Sequence, residues 1–149
     1  MSLTSLSPSP KIDILLPAKE RFSPSNAGAI SGVVHDLVKA SKAAQSYRII
    51  GTRVPVPLMP DHFYGLSPSK SWWRGNNLGL AAAYLNLLRK TGAPDLVEVH
   101  SRCQVARYIS KKIPSLKINL YLHNDPRQMT GSRTITERHF LLKNMAGIV

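Results

Sequence analysis

At 149 residues the chain is the size of one domain with a single hydrophobic core, and its 43% apolar content and mean hydropathy of −0.12 suit a globular protein. No apolar run approaches the roughly 20 residues of a membrane span, and the lone Cys103 excludes both an internal disulfide and a cysteine-rich zinc site. Lys+Arg 20 against Asp+Glu 8 gives a net charge of +12, a field that attracts nucleic acid, anionic lipid or phosphorylated ligands without choosing among them.

The first ten residues, Ser- and Pro-rich, carry neither a basic leader nor an apolar signal core. They are expected to form a disordered tail, with Met1-Ser2-Leu3 a candidate expression remnant, on a cytoplasmic protein. Ile12 to Leu16 is a short apolar run closed by Pro17 and predicts a buried strand. After a polar loop, Ile30, Val33, Val34, Leu37, Val38 and Ser41 recur with helical spacing, and Ser25 or Asn26 is placed to cap the helix. Tyr47 to Val54 predicts a second strand. Pro55 to Gly75, rich in Pro and Gly, reads as mostly loop, with any short strand inside it unlocated.

Asn76 or Asn77 is expected to cap a second helix with an apolar face of Leu78, Ala81, Ala82, Leu85 and Leu88, stopped by Gly92. Leu96 to His100 then predicts a strand, Cys103 to Lys112 a helix, Lys117 to Leu122 a strand and Thr134 to Met145 a helix. Strands alternating with helices predict an α/β fold, a Rossmann-like parallel sheet with helices on both faces. Gly147-Ile148-Val149 falls where the next strand would begin, so the alternation is expected to continue beyond a truncated chain.

Ligands of such sheets gather outside the carboxyl ends of the strands. That rule points to the loop after Leu16, the segment after Val54, His100-Ser101-Arg102 and His123-Asn124-Asp125. Gly28, between the first strand and first helix, serves either as a turn former or to let backbone amides approach a phosphate at the helix end. The three spaced glycines of a dinucleotide loop and the GK[ST] of a Walker loop are both missing. His100 and His123 each suit a structural hydrogen bond, but two at matched strand ends point to a shared crevice. Neither has the i, i+4 partner of a zinc helix, so no metal is expected.

Arg102, Gln104, Arg107 and Lys111 form a basic helix face, either merely solvated or a binding surface. Trp72 and Trp73 fit a local core, a lid or a membrane-facing wedge. Together with Arg107, Lys111 and Lys112 they make loose contact with an anionic membrane a candidate. Thr134 and Glu137 have capping-box spacing, which explains both without any function.

The segments ILLPAKERFSPSNAGAIS (Ile14 to Ser31), PDLVEVHSR (Pro94 to Arg102) and LYLHNDPRQMTGSRTITER (Leu120 to Arg138) together resemble the amino-terminal domain of retaining glycosyltransferases of family 4, from about Lys11 onward. The resemblance implies the first half of a two-domain GT-B fold, with residues 11–149 binding the acceptor and a separate carboxy-terminal domain binding most of a nucleotide-diphosphate sugar. It implies a glycan or lipid-linked acceptor in polysaccharide or glycoconjugate biosynthesis, no cofactor beyond the donor, and inactivity of this half alone.

By the same resemblance His123 lies beside the reacting sugar, while Gly28, Asn26, His100, Arg102, Asn124 and Asp125 contact substrate. Ala27-Gly28-Ala29 departs from the adjacent glycines often found in that loop. A cytoplasmic enzyme at the inner face of the membrane follows as the expected location. The alternative raised by the +12 charge is a basic nucleic-acid-binding α/β module, against which stand the missing zinc finger, RNP aromatics, GXXG loop and helix-turn-helix.

Overall fold

The computed structural model describes residues 9–69 and 75–149. Among these residues six strands, β1 (Ile12–Leu15), β2 (Tyr47–Thr52), β3 (Phe63–Leu66), β4 (Leu96–His100), β5 (Ile118–Tyr121) and β6 (Gly147–Ile148), form one sheet in the order β3-β2-β1-β4-β5-β6. Every pairing is parallel. The helices are α1 (Ala29–Ala40), α2 (Gly75–Thr91), α3 (Cys103–Lys112) and α4 (Ile135–Asn144). The fold is α/β and Rossmann-like.

Alternation along the strands divides the core in two. Leu15, Ile50, Val97, Val99, Ile118 and Leu120 pack with residues of α2, α3 and α4 on one face. Ile14, Leu16 and Ile49 pack with Phe22 and with Val34 and Val38 of α1 on the other. Strands buried on both faces need near-continuous apolar sequence, which is what Ile14, Leu15 and Leu16 provide. Between β2 and β3 no helix intervenes. Leu58 and Met59 from that connection pack against the α1-side core in its place.

Several local expectations need correction. On α1, Val33 and Leu37 are 50% and 40% exposed, so the buried stripe is the narrower Ser31, Val34, Val38. The cap is Gly28, without a side-chain bond, and neither Ser25 nor Asn26 caps the helix. Asn76 and Asn77 lie inside α2, which already includes Gly75, and the Asn77 side chain instead accepts the Ala18 N–H at 2.9 Å.

The buried face of α2 runs through Leu80, Ala81, Tyr84, Leu85, Leu87 and Leu88, with Leu78 and Ala82 at its margin. Apolar residues surround that helix, so periodicity alone does not choose its inward face. β3 is the short strand within the Pro- and Gly-rich segment. The capping box of α4 forms as predicted, Thr134 Oγ1 accepting from the Glu137 N–H at 3.1 Å and Glu137 Oε2 from the Thr134 N–H at 3.0 Å. Residues 1–8, most of the predicted tail, and Trp72 and Trp73 lie outside the described residues.

Candidate functional site

The strand order changes direction between β1 and β4, and connections from those strands leave the same sheet edge on opposite sides. This is the switch point at which open α/β sheets bind ligands. A cleft of about 540 Å³ opens there. From the β1 side it is lined by Lys19, from the β4 side by Ser101, Arg102 and Gln104, and from α2 by Asn77. The connection after β5 contributes Asn124, Asp125, Gln128, Met129 and Thr130. Amides and hydroxyls dominate this wall.

The β4 turn is sharp. Ser101 adopts a left-handed φ of 55°, a conformation uncommon for a residue with a Cβ. Its N–H continues the ladder to the Tyr121 carbonyl at 2.8 Å, while its buried hydroxyl has no partner among the described residues. Arg102 begins α3 and turns its guanidinium back to donate to the Ser101 carbonyl at 2.7 Å.

His100 ends β4 and is buried. Its ring stacks on Tyr121, centroids 4.7 Å apart and planes within 2°, because His100 and Tyr121 are register partners. His123, two residues beyond the end of β5, brings Nε2 to 3.1 Å from His100 Nδ1. The two predicted histidines therefore meet directly. His123 is exposed beside the cleft and is not part of its lining. Partial desolvation of the ring pushes its imidazole below the ordinary value, the neighbouring His100 adds to this, and the Glu20 carboxylate opposes it.

Two carboxylates, neither singled out from the sequence, complete this edge. Glu98 precedes His100 by two residues on the same strand face. Its buried Oε2 lies 3.8 Å from His100 Nε2, and neither atom has a hydrogen-bond partner among the described residues. Tyr121 shares the neighbourhood: burial pushes its phenol up, and Glu98 adds to the shift.

Glu20 sits over the amino end of α1, Oε2 accepting from Ser31 Oγ at 2.7 Å and from the Ser31 N–H at 3.2 Å. A Cβ at position 28 would stand 2.6 Å from that carboxylate. Gly28 thus makes room for an internal anion at the positive helix end, the place where sequence reasoning put a ligand phosphate.

The other predicted residues divide. Asn124 lines the cleft, and Asp125 does too. Both Asp125 oxygens are engaged by the Arg127 guanidinium, and Oδ1 also caps the short turn at Pro126 through the Arg127 N–H. Asn26 is exposed in a turn, its N–H donating to the Ser23 carbonyl, and is not in the cleft lining.

Arg107 is half-buried and points to α4, pairing with Glu137 at 3.2 Å and lying over the Phe140 ring. Lys111 also lies over Phe140, and Lys112 over Tyr108. Part of the basic face is therefore helix-packing surface, with Glu137 as the acid that balances it. Among the described residues no group of three or more His, Cys, Asp or Glu could hold a metal ion, and no helix is long and apolar enough to cross a membrane.

Sequence signals for the missed residues existed in part. Glu98 interrupts an otherwise apolar strand, and an acid inside a buried run is itself a flag. Nothing local marks Glu20, whose role depends on a loop folding back over α1. No family model, curated protein or solved structure matches this chain.

Proposed function

We propose that this chain forms the acceptor-side wall of a nucleotide-sugar-dependent glycosyltransferase, with a second Rossmann-like domain supplying the donor-binding wall. The observation that carries the reading is the composition of the switch-point cleft. Asn77, Gln104, Asn124, Gln128 and Thr130 present donors and acceptors together, which suits a polyol whose hydroxyls both give and take hydrogen bonds. Lys19 and Arg102 add positive charge for an anionic substituent. The sequence resemblance supports the same reading independently. His123, exposed next to Asn124, is the residue assigned to the reacting sugar.

The α1 end contributes less to a diphosphate than the resemblance implies, because Glu20 already occupies it. In this reading the donor diphosphate is held chiefly by the second domain, and cations there stabilise the leaving group.

Two measurements test the proposal. In amide-resolved NMR, mono- and oligosaccharides should shift Ser101, Arg102, Gln104 and Asn124. The 149-residue chain, given UDP-, GDP- or ADP-sugars and a membrane glycan extract, should transfer nothing, since in this reading half of the positioning groups come from the second domain. Saccharide shifts confined elsewhere, or turnover above background, overturn it. Random duplex DNA should show no steep salt-dependent binding; strong binding would favour the nucleic-acid alternative.

A further inference from the structure

We propose that the switch-point cleft takes a saccharide carrying a phosphate monoester, with Lys19 and Arg102 holding the phosphate. The transferase reading above, on which this rests, makes that phosphorylated saccharide the acceptor. The argument starts from charge. Of the described residues lining the cleft, Lys19 and Arg102 are cations and Asp125 is the one acid. Both Asp125 oxygens are engaged by the Arg127 guanidinium, so that pair cancels itself. Glu20, beside Lys19 in the chain, is turned instead to the start of α1, where Ser31 Oγ and the Ser31 N–H donate to it. No ion pair among the described residues uses Lys19 or Arg102. Two positive charges therefore face the cleft uncompensated.

The two cations differ in kind. Lys19 is exposed, a point charge on a flexible stem. Arg102 is half-buried, and its Nη1 donates to the Ser101 carbonyl at 2.7 Å, which anchors the guanidinium. Its Nε and Nη2 have no hydrogen-bond partner among the described residues. A fork already held by one bond loses less freedom on meeting an oxyanion than an unattached side chain does.

Charge matching selects the anion. A phosphate monoester carries about −1.5 to −2 at neutral pH, with three strong acceptor oxygens. A single carboxylate would leave one of the two cations unmatched. Inorganic phosphate would satisfy both but make no use of the amide wall of Gln104, Asn124 and Gln128, whose paired donors and acceptors suit sugar hydroxyls. A monosaccharide phosphate engages both parts of the lining.

The +12 charge supplies the competing explanation, because it draws anions to any basic surface, including Lys111 and Lys112 at the end of α3. Amide-resolved NMR titration of the 149-residue chain with glucose, glucuronate, inorganic phosphate and glucose 6-phosphate separates the two. Glucose 6-phosphate should bind about tenfold or more tighter than each of the other three and should move the Lys19, Arg102 and Asn124 amides. Lys19→Gln and Arg102→Gln should each weaken glucose 6-phosphate about tenfold and change glucose less than about twofold. Arg102→Lys, which keeps the charge without the fork, should recover only part of the loss. Lys111→Gln combined with Lys112→Gln should change neither ligand. Because Arg102 opens α3, the exposed Lys19→Gln carries the test if Arg102→Gln fails to fold.

Equal affinity for glucose and glucose 6-phosphate overturns the phosphate subsite and leaves the transferase reading standing. Glucuronate or inorganic phosphate binding as tightly as glucose 6-phosphate overturns it too. So does a loss of binding in the Lys111 and Lys112 variant in place of the Lys19 variant. Lys19-dependent binding of glucose 6-phosphate, with no transfer from any nucleotide sugar by the full two-domain enzyme, removes the transferase reading and leaves the subsite.

Discussion

Two buried carboxylates on adjacent strands of one sheet are treated in opposite ways. Asp13, on β1 toward the amino ends of the strands, accepts Arg48 Nε at 2.9 Å, Arg48 Nη2 at 2.7 Å and the Tyr84 hydroxyl at 2.6 Å. Glu98, at the middle of β4 and on the opposite face, leaves Oε2 without a partner among the described residues. Both residues are almost fully buried, so exposure does not explain the difference. Satisfied groups at one edge hold β1, β2 and α2 together. Beyond Glu98, His100 Nε2 and Ser101 Oγ are likewise buried without a partner among the described residues, and the amino edge has one such atom, Ser46 Oγ. The satisfied network lies toward the amino ends of the strands, whereas His100 Nε2 and Ser101 Oγ lie at the carboxyl ends, the edge at which open α/β sheets bind ligands.

The sharpest way to break this contrast is to truncate both acids. Asp13→Ala leaves the Tyr84 hydroxyl buried and the Arg48 guanidinium unpaired, and should lower stability by about 3–5 kcal/mol in urea denaturation. Tyr84→Phe, which removes one bond from the same network, should cost about 1 kcal/mol. Glu98→Gln should fall within about 0.5 kcal/mol of the unmodified protein or exceed it in stability. A Glu98→Gln loss as large as that of Asp13→Ala would show that the carboxyl edge is structural after all.

A smaller effect tests the internal anion at α1. Gly28→Ala places a methyl against the Glu20 carboxylate and should displace it from Ser31, at a cost of about 1 kcal/mol, the scale of a lost helix cap. Glu20→Ala should cost the same. Because both act through one contact, the double variant should be no worse than either single one. Additive losses would mean that Gly28 is needed for some other reason.

The sequence made the strand–helix alternation, the parallel sheet and the ligand edge legible, because buried parallel strands such as Ile12 to Leu16 are apolar but for Asp13 and end in recognisable breakers. β3 was hidden. It is an edge strand of four residues, Phe-Tyr-Gly-Leu, in a Pro-rich segment, and half-exposed edges need little hydrophobic pattern. The caps were misread for a different reason. Ser25 and Asn26 have the right chemistry at nearly the right place, but the α1 donors are served by Glu20 from six residues before Asn26, a long-range choice no local rule contains.

The same limit applies to the site. Strand-end histidines follow from the topology rule, whereas the meeting of His100 Nδ1 with His123 Nε2 depends on the register His100–Tyr121. The basic face of α3 looked unbalanced because Glu137, which pairs with Arg107, lies 30 residues further along the chain.

His123 and Tyr84, one toward each edge, should also separate in their response to pH. Partial desolvation and His100 hold the His123 imidazole below its ordinary value of about 6.5, so in that window the unfolded chain binds more protons than the folded one. Stability therefore rises with pH up to about 6.5 and falls as the solution is acidified below it. At the other edge burial, with Asp13 adding to it, pushes the Tyr84 phenol up. A raised pKa contributes stability that is fully present below the unfolded value, about 10 for tyrosine, and is lost as pH rises above it. Tyr121 shifts in the same direction and contributes to the same alkaline limb. Urea midpoints measured from pH 5 to 11 should then show two separable slopes. His123→Gln should flatten the one below pH 6.5 and leave the alkaline limb unchanged. Tyr84→Phe should shrink the alkaline limb and leave the acid one. Carboxylates held low, Asp125 and Glu137, act only near pH 4 and below, outside the histidine window. If Tyr84→Phe alters the slope below 6.5, the edges are coupled through the sheet and cannot be assigned separate roles.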